Sequence, residues 1–321
     1  MKIALIGGSG FIGSHLCSVF QDFKIDFSIY DKLKSKNLNH KCIVGDILDM
    51  ERLTNFIEDD SIIINLAAEH QDNVRPRNLY YSTNVQGAVN ICNVARVKNV
   101  RMIIFTSSVA VYGFSNICVD ESFDTKPSTD YGISKLQAEF IYKEWQLEDP
   151  LNRVLVIIRP TVVFGEGNRG NVYKLFKQIV SKKFIFIGNG RNIKSLAYVG
   201  NLVFFILYSL KINKGVHIFN YVDKPDYSID QLVNEIYYNL GYKKAFILRI
   251  PFYIGVFIGY LFDFLNLFFK FNSSINSHRI KKFCSNSLFD SIYVKDHYSP
   301  LVSLSTALKK TISYEFPENI E

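Results

Sequence analysis

The sequence predicts an α/β protein built on a doubly wound parallel sheet, followed by a smaller lobe. Two patterns carry this expectation. Short apolar runs alternate with helix-length segments through the first half of the 321 residues, and strands separated by helices pair in parallel through right-handed crossovers. The first apolar run ends in a glycine turn that opens a helical pattern, Gly7-Gly8-Ser9-Gly10-Phe11-Ile12-Gly13, which is the first junction of a Rossmann-type sheet.

In chain order, Lys2–Ile6 reads as a buried strand and Phe11–Phe20 as a helix. Phe27–Tyr30, Cys42–Val44, Ile62–Asn65, Met102–Thr106 and Val154–Ile158 are further strands. Met50–Glu58 and Asn78–Val97 are helices between them. After about residue 165 the alternation loosens. Helices are expected at Val172–Ser181 and Gly200–Leu210, and Ser228 caps an apolar-periodic stretch ending at Leu240. The expected division is residues 1–165 as the sheet domain and 166–321 as the smaller, substrate-binding lobe.

Composition narrows the functional classes. With 48% apolar and 21% charged residues the chain is a folded protein. The formal charge of +7 suits an acidic membrane surface or a phosphorylated substrate. The lysines form no long run, so no nucleic-acid partner is expected. Cys17, Cys42, Cys92, Cys118 and Cys284 have neither metal-knuckle nor redox-pair spacing. They read as free thiols in a reducing, cytoplasmic compartment, and no metal is expected. Lys2 precedes an apolar run, but the glycines that follow break it, so no signal peptide is expected.

One segment has two readings. Ile250–Phe262 is uninterruptedly apolar or aromatic, and the pattern continues to Phe271. It is shorter than the roughly 20 residues that span a bilayer. Asp263, Asn266 and Lys270 share one helical face opposite Phe and Leu. The segment is either a core helix of the smaller lobe or an interfacial helix flanked by Lys270, Arg279, Lys281 and Lys282.

The glycine turn needs positive φ and close backbone approach. The helix it opens presents free N–H groups from Gly10, Phe11, Ile12 and Gly13 to a pyrophosphate, with Gly7 or Gly8 as the first glycine. Asp31 ends the second strand, where a carboxylate accepts hydrogen bonds from the adenosine ribose and repels a 2′-phosphate. That favours NAD, while Lys32 and Lys34 leave NADP open.

Tyr131 and Lys135 stand one helical turn apart on one face. A free tyrosine has a pKa of about 10, so a neighbouring ammonium must stabilise the phenolate for it to act as a base near neutrality. A strand ending in Ser107 and Ser108 supplies a hydroxyl for the reacting oxygen. Tyr173 and Lys177 have the same spacing but lie beyond the sheet half, without a serine strand before them, and read as a decoy.

These residues resemble the extended short-chain dehydrogenase/reductases of the NAD-dependent epimerase/dehydratase family, across essentially the whole chain. The shared marks are the glycine turn, Asp31, Gly45-Asp46-Ile47, Asn65-Leu66-Ala67-Ala68, Asn84-Val85-Gln86-Gly87, the Ser-Ser-x-x-x-Tyr-Gly strand, Tyr131 with Lys135, and Arg159-Pro160-Thr161-Val162-Val163-Phe164-Gly165. The resemblance implies bound NAD, with Asp46 and Ile47 at the adenine and Leu66, Ala67 and Ala68 along the dinucleotide. It implies Asn84 at the active-site end, Ser107 beside the cofactor, and Ser108, Tyr131 and Lys135 as the catalytic set. Pro160 and Val163 are implied near the nicotinamide.

Within that family, Glu69–Val74, Gly167–Tyr173, Lys194–Asn201 and Asn220–Asp226 resemble the polyprenyl-diphosphate-linked N-acetylglucosamine 4-epimerases. This implies interconversion of N-acetylglucosamine and N-acetylgalactosamine on undecaprenyl diphosphate, for surface polysaccharide, at the inner face of the cell membrane. Asn171, Lys194 and Arg279 are then candidate sugar and diphosphate contacts, or else ordinary surface polar residues. The resemblance also implies a homodimer through the helix containing Tyr131–Glu144. Three rivals stand beside this reading. One is a soluble enzyme on a nucleotide-linked amino sugar, such as a UDP-sugar epimerase or reductase. A lipid-alcohol dehydrogenase is the second and a non-catalytic NAD-binding scaffold the third. Dehydration is disfavoured, because Ser107-Ser108-Val109 offers no acid pair.

Overall fold

The computed structural model describes residues 2–35, 38–71, 74–242, 248–269 and 277–319. The main sheet takes β1 (Ile3–Ile6), β2 (Phe27–Asp31), β3 (Cys42–Val44), β4 (Ile62–Asn65), β5 (Met102–Thr106) and β6 (Val154–Pro160). Between them lie α1 (Phe11–Asp22), α2 (Met50–Phe56), α3 (Asn78–Tyr80), α4 (Gly87–Val97) and α5 (Asp130–Leu147). The region expected as one helix over Asn78–Val97 is three pieces, because a π-helical turn at Tyr81–Gln86 joins α3 to α4. That turn carries Asn84.

The second half adds β7 (Val162–Phe164), α6 (Asn171–Val180), β8 (Phe186–Ile187), β9 (Ile193–Tyr198), α7 (Val199–Ser209) and β10 (Gly215–Tyr221). It continues with β11 (Asp223–Ser228), α8 (Ile229–Asn239), β12 (Arg249–Ile250), α9 (Phe252–Phe269), α10 (Ser277–Cys284), α11 (Val294–His297) and α12 (Leu304–Glu315). The main sheet runs β10-β6-β5-β4-β1-β2-β3, with every neighbouring pair parallel. Chain order therefore reverses beside β1, the switch point at whose carboxyl edge doubly wound sheets bind ligands. Its edge strand β10 comes from the second half, so residues after 165 are not confined to the smaller lobe.

Side-chain alternation divides the core. Ile3 and Leu5 of β1 belong to the core that includes residues of α1, α7, α8 and α12, whereas Ala4 and Ile6 belong to the one that includes residues of α2, α4 and α5. Strands buried on both faces are continuously apolar, as in Ile62-Ile63-Ile64. The smaller sheets are β11-β9-β7 and β12-β8. Ser228 caps α8 through a reciprocal capping box with Gln231, at the expected position.

Helix α9 inverts the usual arrangement. Gly255 lies against Ile187 and Gly259 against Ser277, so closely that a Cβ would sit 2.4 Å and 2.7 Å from them. Asp263 lies one turn further on and accepts the Ser277 amide at 3.2 Å. The opposite face is large and apolar yet exposed: Tyr253 at 83%, Phe257 at 70%, Leu261 at 50% and Phe264 at 59%. Core burial of that face is thus not observed. Lys270 and Phe271, at the end of the expected segment, lie outside the described residues, as do Asp72 and Asn73. Among the described residues no helix is long and apolar enough to cross a membrane.

Candidate active site

Backbone contacts shape the glycine turn at the end of β1. Gly7 has φ +81°, and a Cβ there would lie 2.5 Å from the Ala67 nitrogen. A Cβ on Gly13 would meet the Gly8 backbone at 2.6 Å, so α1 can start this close to the strand only with glycine. Gly10 caps α1 without a side-chain hydrogen bond. The first-turn amides therefore keep their capacity for an anion.

Asp31 ends β2 beside this turn. Its carboxylate accepts the Ser9 amide and the Leu33 amide, both at 2.9 Å, which fixes the carboxylate against the turn. Lys32 is drawn to Asp46, 3.2 Å away. The Asp46 carbonyl accepts the Tyr30 hydroxyl at 2.9 Å. Ile47 is buried against Gly87, and its carbonyl accepts from Asn90 at 3.0 Å. Leu66 continues the β1–β4 ladder, its amide donating to the Ile6 carbonyl at 2.8 Å; the Ala67 amide donates to Asn65 at 3.0 Å. An anion-ready helix start with a fixed carboxylate on the next strand fits the pyrophosphate and adenosine ribose of a dinucleotide.

The catalytic candidates gather at the ends of β5 and α5. Thr129 caps α5, accepting the Gly132 amide at 3.1 Å. This sets Tyr131 in the first turn, half-buried, with its ring 6.4 Å from that of Tyr80. Lys135, a turn further, is buried with its ammonium 4.2 Å above the Phe105 ring. Burial pushes its pKa down to about 7, against the opposing pull of the Glu139 carboxylate. Ser108 is half-buried at the end of the serine strand, and its Oγ accepts the Ala110 amide at 3.2 Å. Asn84 ties the site together. Its Oδ1 accepts the Glu69 amide at 2.8 Å, and its Nδ2 donates to Ser134 Oγ on α5 at 2.9 Å.

Sequence reasoning missed the network beneath these residues. Glu139 is fully buried, accepts from Arg159 Nε at 2.9 Å and Nη2 at 2.6 Å, and accepts Ser107 Oγ at 2.5 Å. Arg159 also donates to the Tyr112 hydroxyl at 2.7 Å, which donates to Asn220 Oδ1 at 2.9 Å. Ser107 therefore holds the serine strand to α5. One signal was available, since Glu139 repeats the Tyr131–Lys135 spacing on the same helical face.

The remaining candidates are dispersed. Pro160 ends β6, buried, and Val163 lies in β7. Lys194 Nζ donates to the Lys282 carbonyl at 2.9 Å and the Ser285 carbonyl at 2.6 Å, gripping the end of α10, the helix that carries Arg279. Burial lowers the Lys194 pKa to about 8. Asn171 opens α6 and is exposed. Tyr173 stacks on Phe316 at 5.9 Å and lies under Arg169, so it is engaged in packing. Among the described residues no cluster of His, Cys, Asp or Glu could hold a metal ion.

This constellation defines an NAD-dependent enzyme of the short-chain dehydrogenase/reductase type. Residues 3–221 match the NAD dependent epimerase/dehydratase family, and the chain belongs to it. It is 44% identical over 320 residues to the N-acetyl-alpha-D-glucosaminyl-diphospho-ditrans,octacis-undecaprenol 4-epimerase of Escherichia coli O157:H7, covering 98% of this chain and 95% of that one. The UDP-glucose 4-epimerase of Vibrio cholerae is more distant, 28% identical over 278 residues, 81% of this chain and 82% of that one. Among solved structures, the UDP-glucuronic acid 4-epimerase of Bacillus cereus in complex with NAD shares the fold, with a TM-score of 0.74 over 98% of both chains at 21% identity.

Proposed function

We propose that this enzyme epimerises C4 of N-acetylglucosamine carried on undecaprenyl diphosphate, giving N-acetylgalactosamine, at the cytoplasmic face of a membrane. Similarity across 98% of the chain to an enzyme with that named activity supports the substrate. The single structural observation that carries the reading is the outward apolar face of α9. A polyprenyl chain stays in the bilayer, so an enzyme acting on its headgroup must work at the interface. Tyr253, Phe257, Leu261 and Phe264 offer the apolar surface, and Lys281, which donates to the Tyr260 hydroxyl at 2.8 Å, puts positive charge beside it.

A dinucleotide held at the glycine turn and Asp31 would supply the hydride acceptor, and in its reduced form the hydride donor, that C4 epimerisation needs. Tyr131, as phenolate, takes the proton of the sugar 4-hydroxyl and gives it back after the 4-keto sugar has turned over in the pocket. Ser108 Oγ hydrogen-bonds the same oxygen in both half-reactions. Lys135 stabilises the phenolate by its charge, and Glu139 with Arg159 fixes the face of α5 from which it acts. Pro160, Val163, Ile47 and Leu66 to Ala68 would contact the dinucleotide, and Lys194, Arg279 and Asn171 the sugar diphosphate.

Undecaprenyl-diphosphate-linked N-acetylglucosamine and UDP-N-acetylglucosamine, incubated separately with the purified protein, test the proposal after mild acid release of the sugar. Galacto product from the lipid substrate alone is expected. Product from the nucleotide sugar alone would overturn the reading in favour of a UDP-sugar epimerase.

A further inference from the structure

The loop between β7 and α6, Gly165-Glu166-Gly167-Asn168-Arg169-Gly170, is half glycine. Gly165 and Gly167 have φ +149° and +81°, and a Cβ on Gly167 would meet nothing within 4 Å among the described residues. Such a segment has little to order it from within. It is nevertheless pinned to three separate elements. The Glu166 carbonyl accepts from His15 Nε2 of α1 at 2.8 Å. The Glu166 carboxylate accepts the hydroxyl of Tyr198, the last residue of β9, at 2.9 Å and 3.0 Å. Glu315 accepts the Gly167 amide at 2.7 Å and Arg169 Nη1 at 2.8 Å. Glu315 is the last residue of α12, with its side chain 4% exposed. A secluded carboxylate at the negative end of a helix is disfavoured, and the two donors from the loop compensate it.

Sheet order sets where this loop runs. β6 and β1 are separated by β5 and β4, which is three strand spacings, or roughly 14 Å. Chain leaving β6 through β7 returns across that width to reach His15 in the second turn of α1. The same carboxyl edge must take the cofactor. A dinucleotide with its pyrophosphate on the α1 amides and its reacting ring beside Ser108 and Tyr131, which follow β5, would lie along that edge from α1 towards β6. His15 also meets the ring of Phe11, in the first turn of α1, edge-on at 5.4 Å. The loop therefore bears on the helix whose first turn faces the pyrophosphate.

We propose that residues 165–170 are a strap that slows escape of the bound dinucleotide, with His15 and Glu315 as its positioning residues. A loop closed over a bound group retains it by contacts that must break before release. An epimerase returns the hydride to the same sugar, so its cofactor need not exchange between turnovers and slow release does not limit it. His15 donates from Nε2, because a carbonyl can only accept. Glutamine can present a donor nitrogen at that place, and leucine cannot. The strap concerns how the cofactor is held and is independent of which sugar is turned over.

His15→Leu, His15→Gln and Glu315→Ala in the full chain, each stripped of cofactor and reloaded with NADH, test this. Release is followed by the change in NADH fluorescence when excess NAD is added, alongside melting of the cofactor-free proteins. His15→Leu and Glu315→Ala are each expected to release NADH roughly tenfold faster than the parent, and His15→Gln at the parental rate. Release at the parental rate by either His15→Leu or Glu315→Ala would overturn the proposal, even with lowered melting, because that contact would then serve the fold alone. Fast release by His15→Gln would also overturn it, since the ring and not the hydrogen bond would be responsible. If His15→Leu does not fold, Glu315→Ala carries the test from the other end of the loop, without touching α1.

Discussion

At the residue scale, Tyr131 and Lys135 were legible because both lie on one helix, where spacing alone sets the geometry. Tyr131→Phe removes the acid–base group and keeps the ring. Turnover should fall roughly 10²- to 10⁴-fold, with NAD binding and melting unchanged. A variant retaining near-parental turnover in a single-substrate assay would remove Tyr131 from the mechanism. Glu139 was not legible as a partner, because Arg159 reaches it from a different element and only the packing of β6 on α5 brings them together. Asp223 was equally silent. It is buried and accepts the Tyr198 amide at 2.6 Å and Asn201 Nδ2 at 2.9 Å. Burial pushes its pKa up from 3.8 to about 6, the hydrogen bonds opposing. A raised carboxyl pKa means that the folded state holds the proton more tightly. Its contribution is thus full below about pH 4 and is lost as pH rises to about 6. Asp223→Asn keeps an acceptor for the Tyr198 amide and cannot ionise. Denaturant titrations should show the parent losing about 3 kcal/mol relative to the variant between those pH values. A constant difference across that window would show that Asp223 does not titrate there.

At the element scale, the strands of the first half were readable almost to the residue, since the central ones, buried on both faces, must be apolar throughout. Cys42–Val44, Ile62–Asn65 and Met102–Thr106 were read with the bounds they have. The π-helical turn at Tyr81–Gln86 was not readable, because it changes the hydrogen-bond step and leaves composition untouched. Helix α9 misleads for another reason. Its apolar character fits a core helix equally well, and only Gly255, Gly259 and Asp263 facing the lobe show that the aromatic side is left outward. If that side meets a membrane, Phe257→Glu with Phe264→Glu should weaken sedimentation with anionic phospholipid vesicles by roughly tenfold or more. Stability should stay within about 0.5 kcal/mol per site, because both side chains are exposed. Equal vesicle binding by parent and variant would exclude α9 as the contact.

At the scale of the whole molecule, a division near residue 165 describes the change in sequence pattern better than it describes the core. One apolar cluster runs from Ile3 and Leu5 of β1 through α1 and α7 to Ile229, Leu232 and Ile236 of α8. It ends on Leu304, Ala307, Leu308 and Ile312 of α12. Sequence periodicity could not show this continuity. β10 is separated from its neighbour β6 by β7, α6, β8, β9 and α7, and β11 contains Lys224, Pro225 and Asp226, which do not read as a strand. Helix α12 is tied in by polar contacts as well: Glu315 accepts the Gly167 amide at 2.7 Å and pairs with Arg169 at 2.8 Å, holding the loop after β7. Burying each of Leu304, Leu308 and Ile312 is worth about 1.5–3 kcal/mol, together comparable to the roughly 5–15 kcal/mol net stability of a domain. Removal of residues 304–321 should therefore abolish the folded sheet domain along with the smaller lobe. Circular dichroism of the truncated chain should show no cooperative thermal transition, and NAD binding should be lost. A truncated chain that still melts cooperatively and binds NAD would mean that the β1–β6 core stands without α12, and that the continuous cluster is two cores in contact.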